Sequence, residues 1–385
     1  MVIAVNTRFL LKNRLEGIGW YTHEVFRRIV TRHPEHTFLF LFDREPAPEF
    51  LYAPNVQPVK VWPPARHPYL WQFWFDYALP AVFRKHQPDL FISTDGFLSL
   101  KTHIPSILVV HDLGFEHYPE HTPAIVNKYY RKFTPLYARH ADHIVTVSDF
   151  TRRDVIDRYG VAPEKVTRIY NGASDAYAPL DAEDAAAVRR QYTEGSDYFI
   201  YVGSIHPRKN VTTLLQAFDM LKEKTGTDMK LVVAGRMAWK TDATKAIYDI
   251  MHHKEDVIFT GHLQQQELVR IMAAAAAFVY PSLFEGFGIP VVEARYCGVP
   301  VITSDRSCLP EVAGPHAITF NPEYPAEIAA AMEHFMQERS HYTEAYADIN
   351  AARNAFNWER SADGMEQVIS AMDKRFVPAG RQLQH

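Results

Sequence analysis

The sequence predicts an α/β protein made of two doubly wound parallel sheets in series. Three observations carry this: short apolar, β-branched runs recur along the 385 residues, helix-like stretches separate them, and one strandless segment divides the series. Runs that are apolar throughout, rather than alternating, belong to parallel strands covered on both faces. In the first half the expected strands are residues 2–6, 38–42, 56–61, 90–93, 107–110, 143–147 and 166–169, with helices over 20–32, 69–85, 123–138 and 149–159. The second half repeats the scheme with strands at 198–202, 230–234, 257–260, 278–280 and 299–303. Residues 175–195, rich in Asp and Ala, form the expected linker between a domain over 1–174 and another over 196–356. Residues 377–385 read as a frayed tail. Two such domains face each other across a cleft at the carboxyl ends of their strands, where doubly wound folds take ligands.

Composition narrows the function. A hydrophobic fraction of 47% marks a globular chain, and a net charge of −4 gives no reason to expect nucleic-acid binding. The two cysteines, Cys297 and Cys308, lack metal-ligand spacing, so a reducing, cytoplasmic location is expected. Residues 1–9 lack the pattern of a signal peptide, and the longest apolar run, 272–281, is about half a membrane span.

The most informative stretch is 282–293, Ser-Leu-Phe-Glu-Gly-Phe-Gly-Ile-Pro-Val-Val-Glu. Gly286 and Gly288 allow close backbone approach, and Pro290 suits the first position of a helix whose free N–H groups and partial positive charge seat a phosphate. Glu293 is placed to accept from ribose hydroxyls and Glu285 to hold a sugar; the bland alternative is a loop–helix junction with surface glutamates. After the strand at 198–202 come Gly203 and then Arg208 and Lys209, a charge fork and a point charge for a diphosphate, or else a solvated face. Gly17 and Gly19 resemble part of a dinucleotide fingerprint whose third glycine is missing, which leaves an anion contact, an acceptor-side loop or a simple turn. His111, one of nineteen histidines, gains interest only from its place at a strand's carboxyl end. Asn171 precedes Gly172 in a turn or a ligand contact. No Asp-x-Asp metal site lies near these loops. Residues 67–85 combine seven aromatic side chains with Arg84 and Lys85, just after Arg66; such a helix lies on a membrane surface or packs as core.

Taken together, Gly17-Ile18-Gly19, His111-Asp112-Leu113, Val147 through Thr151, Tyr170-Asn171-Gly172, Val202 through Asn210, Phe259-Thr260-Gly261, Pro281 through Glu293 and Gly298 through Val301 resemble the retaining glycosyltransferases of family 4. They follow the family's order over nearly the whole chain. The resemblance implies the GT-B fold, two Rossmann-like domains facing across a cleft, with a C-terminal helix over 357–376 crossing back to the first. It implies transfer of a mannose- or glucose-type hexose from a nucleoside-diphosphate sugar to a saccharide or lipid-linked saccharide, with retention and without a metal or cofactor, in cell-surface polysaccharide or glycolipid assembly. Arg208 and Lys209 would neutralise the diphosphate, helped by amides near Gly203, Gly288 and Ile289, with Phe287 among the substrate-binding residues. Glu293 would hold the ribose, Glu285 the transferred sugar, and His111 the reaction centre from the other domain. His262 and Leu263 would edge the base, while Gly17 and Gly19 would lie near phosphate or acceptor, and Asn171 would shape a turn or touch a ligand. A cytoplasmic enzyme touching the inner face of the membrane fits a lipid-linked acceptor. One departure is Ser204-Ile205 where many relatives carry a basic residue right after the glycine. A nicotinamide-dependent oxidoreductase would need the intact glycine fingerprint; a non-catalytic sugar-nucleotide-binding regulator would keep the loops without turnover. Oligomeric state is not legible.

Overall fold

A computed structural model describes residues 1–236 and 242–376. Residues 377–385, the expected tail, lie outside the described residues. Among the described residues the chain forms two compact units, one of residues 1–171 with the helix Trp358–Phe376, the other Gly172–Asn357.

The first unit holds the strands β1 (Val2–Asn6), β2 (Thr37–Phe42), β3 (Val56–Lys60), β4 (Leu90–Ser93), β5 (Ser106–Val110), β6 (His143–Thr146) and β7 (Val166–Arg168). They pair in parallel in the order β3-β2-β1-β4-β5-β6-β7. The second holds β8 (Tyr198–Val202), β9 (Lys230–Ala234), β10 (Val257–Gly261), β11 (Ala277–Tyr280), β12 (Val301–Ser304) and β13 (Ile318–Phe320). These are also parallel, in the order β10-β9-β8-β11-β12-β13. Strand order reverses between β1 and β4 and between β8 and β11. At such a switch the adjoining loops leave to opposite faces and open a crevice at the strands' carboxyl ends. The sequence therefore builds the same ligand-ready geometry twice.

Central strands are buried on both faces, as their unbroken apolar runs require: Ile3, Ala4 and Val5 of β1 and Phe199, Ile200 and Tyr201 of β8 are fully covered. Helix starts follow their caps. The side chain of Ser148 accepts from the Thr151 amide at 3.1 Å, and Asp181 from Asp184 at 2.8 Å.

The structure departs from expectation in several places. Residues 175–195, expected as a linker, carry the helix Ala182–Thr193 and belong to the second unit. The short strand β13 leaves no apolar run in the sequence, because it has only three residues, of which Phe320 alone is buried. The strand expected at 299–303 shifts to Val301–Ser304, since Val299 and Pro300 complete the turn after Gly298. The helix expected at 69–85 spans Pro68–Phe73, a π-helical turn Trp74–Ala78 and Leu79–His86. That wider turn holds Trp74, Phe75 and Asp76 in the interior. Among the described residues no helix is long and apolar enough to cross a membrane.

Candidate functional site

In the second unit, chemistry gathers at the switch between β8 and β11. Gly203 ends β8, and its amide donates to the Ala234 carbonyl of β9 at 2.9 Å. A Cβ on Gly235 would stand 1.9 Å from the Gly203 carbonyl oxygen, so the backbones approach as only glycine permits. The Gly203 amide, expected to meet a phosphate, is thus already occupied by the neighbouring strand end.

Beyond Gly203 the loop closes as a 3₁₀ turn, Pro207–Lys209, which the His206 side chain caps by accepting from the Arg208 amide at 3.2 Å. Asn210 takes the left-handed conformation and starts the helix Val211–Thr225, with its side chain donating to the Pro322 carbonyl at 2.7 Å. This fixes Arg208 and Lys209 at the crevice. The loop after β11 meets them there: the Leu283 amide donates to the Arg208 carbonyl at 2.9 Å.

Glu285 is buried at the centre. Its Oε1 accepts from Lys209 Nζ at 2.6 Å, Ser282 Oγ at 2.6 Å and Tyr280 OH at 3.1 Å. Arg208 NH1 lies 3.7 Å from Oε2 and donates to the Phe284 carbonyl at 3.0 Å. Burial alone would raise the Glu285 pKa, but the two cations and the hydroxyl outweigh it and hold the carboxyl at about 2. The Tyr280 phenol is pushed well up by burial and the adjacent carboxylate, so it stays a donor. Two further contacts steady the backbone: Ser307 Oγ accepts the Glu285 amide at 3.0 Å, and the Cys308 thiol donates to the Glu285 carbonyl at 3.2 Å. Tyr280, Ser282, Ser307 and Cys308 were not singled out from sequence. Ser282 lies inside the diagnostic stretch; Ser307 and Cys308 sit a strand away, and nothing in their spacing points to the loop.

Gly288, at a φ of 89°, is the N-cap of the helix Ile289–Tyr296, with Pro290 in its first turn. The N–H groups of Gly288 and Ile289 therefore stand at the helix's free, partly positive end. Phe287 is buried edge-on to Phe356, with ring centroids 5.7 Å apart, and acts as a wedge behind this turn. One turn along, Glu293 is pushed up by burial to about 7, against a hydrogen bond from the Tyr177 phenol that lowers it. His262 is exposed and Leu263 half-buried after β10, whose end adjoins that of β9. The structure brings Arg208, Lys209 and Glu285 into contact, while His262 and Leu263 stand two strands from β8.

In the first unit, β4 and β5 end at a small cavity of about 140 Å³ lined by Asp95, Phe97, His111, Asp112, Phe115 and Tyr130 among others. His111 Nε2 lies 2.8 Å from the Thr94 carbonyl oxygen, which can only accept, so Nε2 carries the proton and Nδ1 the lone pair. Burial lowers the His111 pKa despite the Thr94 carbonyl, Asp112 and Asp95, which keeps the ring neutral near pH 7. Tyr21 packs edge-on against it at 5.1 Å. Beneath, Arg8 is buried with Asp95, its guanidinium 4.4 Å from the centre of the Phe97 ring. Neither Arg8 nor Asp95 was expected; both follow the switch strands directly, which was their only signal.

Gly17 and Gly19 are not in a loop. They open the helix Gly17–Arg32, with Glu16 in the preceding N-cap position. A Cβ on Gly19 would lie 2.6 Å from the Phe9 carbonyl oxygen, so this glycine serves helix–loop packing, while Gly17 faces open space. Asn171 is buried, and its Oδ1 meets no donor among the described residues.

Comparison with known proteins follows this division. The family model described as Glycosyltransferase Family 4 matches residues 15–176, and that of Glycosyl transferases group 1 matches 185–354. O-antigen chain mannosyltransferase B of Escherichia coli is 30% identical over 255 residues, covering 66% of this chain and 67% of the relative. The O-antigen chain mannosyltransferase RfbU of Salmonella typhimurium is 26% identical over 298 residues, 75% of this chain and 78% of the relative. Against the serotype-specific mannosyltransferase WbdA of Escherichia coli, at 28% identity over 58% of this chain, the match spans only 28% of the larger protein. Among solved structures, sucrose-phosphate synthase from Thermosynechococcus elongatus superposes with a TM-score of 0.78 at 18% identity, covering 97% of this chain and 99% of the other. Anabaena HepE, solved with UDP and glucose, gives 0.75 at 18% identity over 96% and 100%. These likenesses establish the GT-B fold class.

Proposed function

We propose, for a chain that belongs to the group 1 glycosyltransferases of family 4, transfer of a mannose-type hexose from a nucleoside-diphosphate sugar to a saccharide hydroxyl. The chain is a glycosyltransferase; the donor class, the acceptor and the stereochemistry are our reading. The observation that carries it is the cluster at the β8/β11 switch, in which Lys209 and Arg208 are held against buried Glu285 beside the free helix end at Gly288. Negative charge grows on the diphosphate as its bond to the sugar breaks. Fixed cations and amides at that point favour the transition state over the ground state, which is the largest contribution in this kind of catalysis.

Glu285 serves this in two ways. It sets the positions of both cations, and its ionised form balances their charge until the diphosphate arrives. Oε1 is saturated by three donors, which leaves Oε2 as the oxygen for a sugar hydroxyl. Glu293, one turn into the helix, would accept from the ribose hydroxyls. His262 and Leu263 would edge the base. In the first unit, neutral His111 offers the Nδ1 lone pair to a hydroxyl, and the unmatched Asn171 Oδ1 offers another acceptor. The names of the O-antigen mannosyltransferase relatives support mannose and a role in cell-surface polysaccharide assembly, with a saccharide or lipid-linked saccharide as acceptor. Retention at the anomeric carbon and independence of metal complete the reading, since two cations already face the diphosphate seat.

The test is turnover with a panel of guanosine, uridine and adenosine diphosphate sugars. Arg208→Ala is expected to lower kcat by about 10²–10³-fold, the usual loss on removing one transition-state contact, with an unchanged circular dichroism spectrum. Wild-type kcat in that variant would refute the assignment. Chelator should leave the rate intact, and the proton coupling constant of the product's anomeric centre should report retention.

A further inference from the structure

The helix segment expected either to lie on a membrane or to pack as core divides between the two. Trp74, Phe75 and Phe83 are buried, whereas Tyr69, Leu70, Phe73 and Tyr77 are exposed by 75%, 37%, 46% and 59%, and Trp62, just before the segment, by 77%. Of the twelve large apolar side chains exposed among the described residues, these five fall within one sixteen-residue stretch. Leu70, Phe73 and Tyr77 recur at helical spacing and so share one face, with Phe73 and Tyr77 stacked at 5.6 Å. Isolated exposed apolar side chains need no explanation; a contiguous aromatic stripe does.

Charge says what covers it. Exposed Arg66 precedes the stripe, and exposed Arg84 and Lys85 follow it. The only acid between residues 61 and 88 is Asp76, which is buried and accepts from the Leu100 amide at 2.8 Å. At the stripe's far end, a groove of about 360 Å³ is lined by Arg84, Lys101 and His103 and by no acidic residue. Aromatic side chains bounded by cations are suited to the headgroup layer of an anionic bilayer, where rings enter the acyl boundary and cations meet phosphates.

We propose that this face, Trp62 with the stripe Tyr69–Tyr77 and its flanking Arg66, Arg84 and Lys85, docks the first unit onto an anionic lipid surface. It belongs to the first unit and the donor loops to the second, and it holds whether or not the donor assignment does.

Flotation of the full protein with vesicles tests it. Vesicles containing phosphatidylglycerol are expected to carry the protein up, and phosphatidylcholine alone to carry much less. Arg84→Ala with Lys85→Ala should weaken the partition roughly 30-fold at low salt. Tyr69→Ala, Phe73→Ala and Tyr77→Ala together should abolish flotation at low and high salt alike while the thermal transition stays put. Bromine-labelled lipids should quench tryptophan emission in the parent and less so in Trp62→Phe. No flotation on anionic vesicles, or equal flotation of the triple variant, would overturn the proposal. So would a concentration-dependent dimer that the triple variant abolishes without any vesicle binding, which would give the face to a second copy of the chain.

Discussion

At the scale of residues, two glutamates eight positions apart are driven in opposite directions. Glu285 is lowered to about 2 against an ordinary 4.5, so its pairing stabilises the fold above the unfolded value and is lost as pH falls from 4.5 through 2. The size of this contribution is about 3 kcal/mol. Glu293 is raised to about 7, so the folded state favours its neutral form; stability is fullest below 4.5 and declines as pH rises through 7. Glu293→Gln should therefore abolish the decline between pH 4.5 and 7, while Glu285→Gln should flatten the acid limb and lower stability at pH 7 by removing the negative charge that Lys209 and Arg208 face. Urea melts at stepped pH check both, and an unchanged slope over that interval in Glu293→Gln would refute the buried-acid reading. Both glutamates were legible in the sequence as flanks of a glycine-rich turn. Their opposed environments were not, because those depend on Tyr280, Lys209 and Tyr177, which approach from other elements.

At the scale of elements, strands were easier to read than loops. Parallel strands buried on both faces leave unbroken apolar runs such as Phe199-Ile200-Tyr201, and the sequence shows them directly. The missed strand β13 and the misplaced start of β12 lie where burial is partial and a turn shares the apolar residues. The π-helical turn is set by how Trp74 and Phe75 pack, which no local pattern encodes. Gly17 and Gly19 looked like a ligand loop, yet Gly19 exists because the helix start touches the Phe9 carbonyl. Gly235 carries no local sequence signal, yet its bare backbone lets the ends of β8 and β9 meet. Gly235→Ala would drive a methyl to 1.9 Å from the Gly203 oxygen, so the loop bearing Arg208 and Lys209 must move. The variant should lose roughly 1–3 kcal/mol and most nucleotide affinity, whereas Gly17→Ala, with open space around it, should lose little of either. Calorimetry with the nucleotide diphosphate distinguishes them, and equal behaviour of the two would refute the contrast.

At the scale of the whole molecule, the chain leaves the first unit at Asn171, builds the second, and re-enters the first at Trp358. The last helix then belongs to a core assembled from the opposite end of the sequence. Trp358, Ala362, Met365, Val368, Ile369 and Met372 are buried along it, and the Ser361 hydroxyl donates to the Tyr170 carbonyl at 2.6 Å. Around the rim, Arg28 pairs with Glu359 at 2.6 Å and Arg32 with Asp363 at 2.9 Å. The rim pairs are exposed and contribute about 1 kcal/mol or less apiece, so Arg32→Ala, which removes pairs with Glu359, Asp363 and Glu366, should cost at most about 3 kcal/mol. The apolar face is another matter. Each large side chain buried there stabilises by up to about 1.5–3 kcal/mol, and their sum rivals the 5–15 kcal/mol that holds a typical domain together. Ending the chain after Asn357 should therefore unfold the first unit and leave the second, whose own sheet and helices are intact. The nucleotide diphosphate at about 100 times its Kd should still raise the surviving transition by the equivalent of about 2.7 kcal/mol, because Arg208, Lys209 and Glu285, which we propose hold the donor, lie wholly in the second unit. Scanning calorimetry of the full and shortened chains reads both effects. A shortened chain that keeps the first unit's transition would show that the helix is dispensable, and a surviving transition indifferent to nucleotide would remove the donor from the second unit.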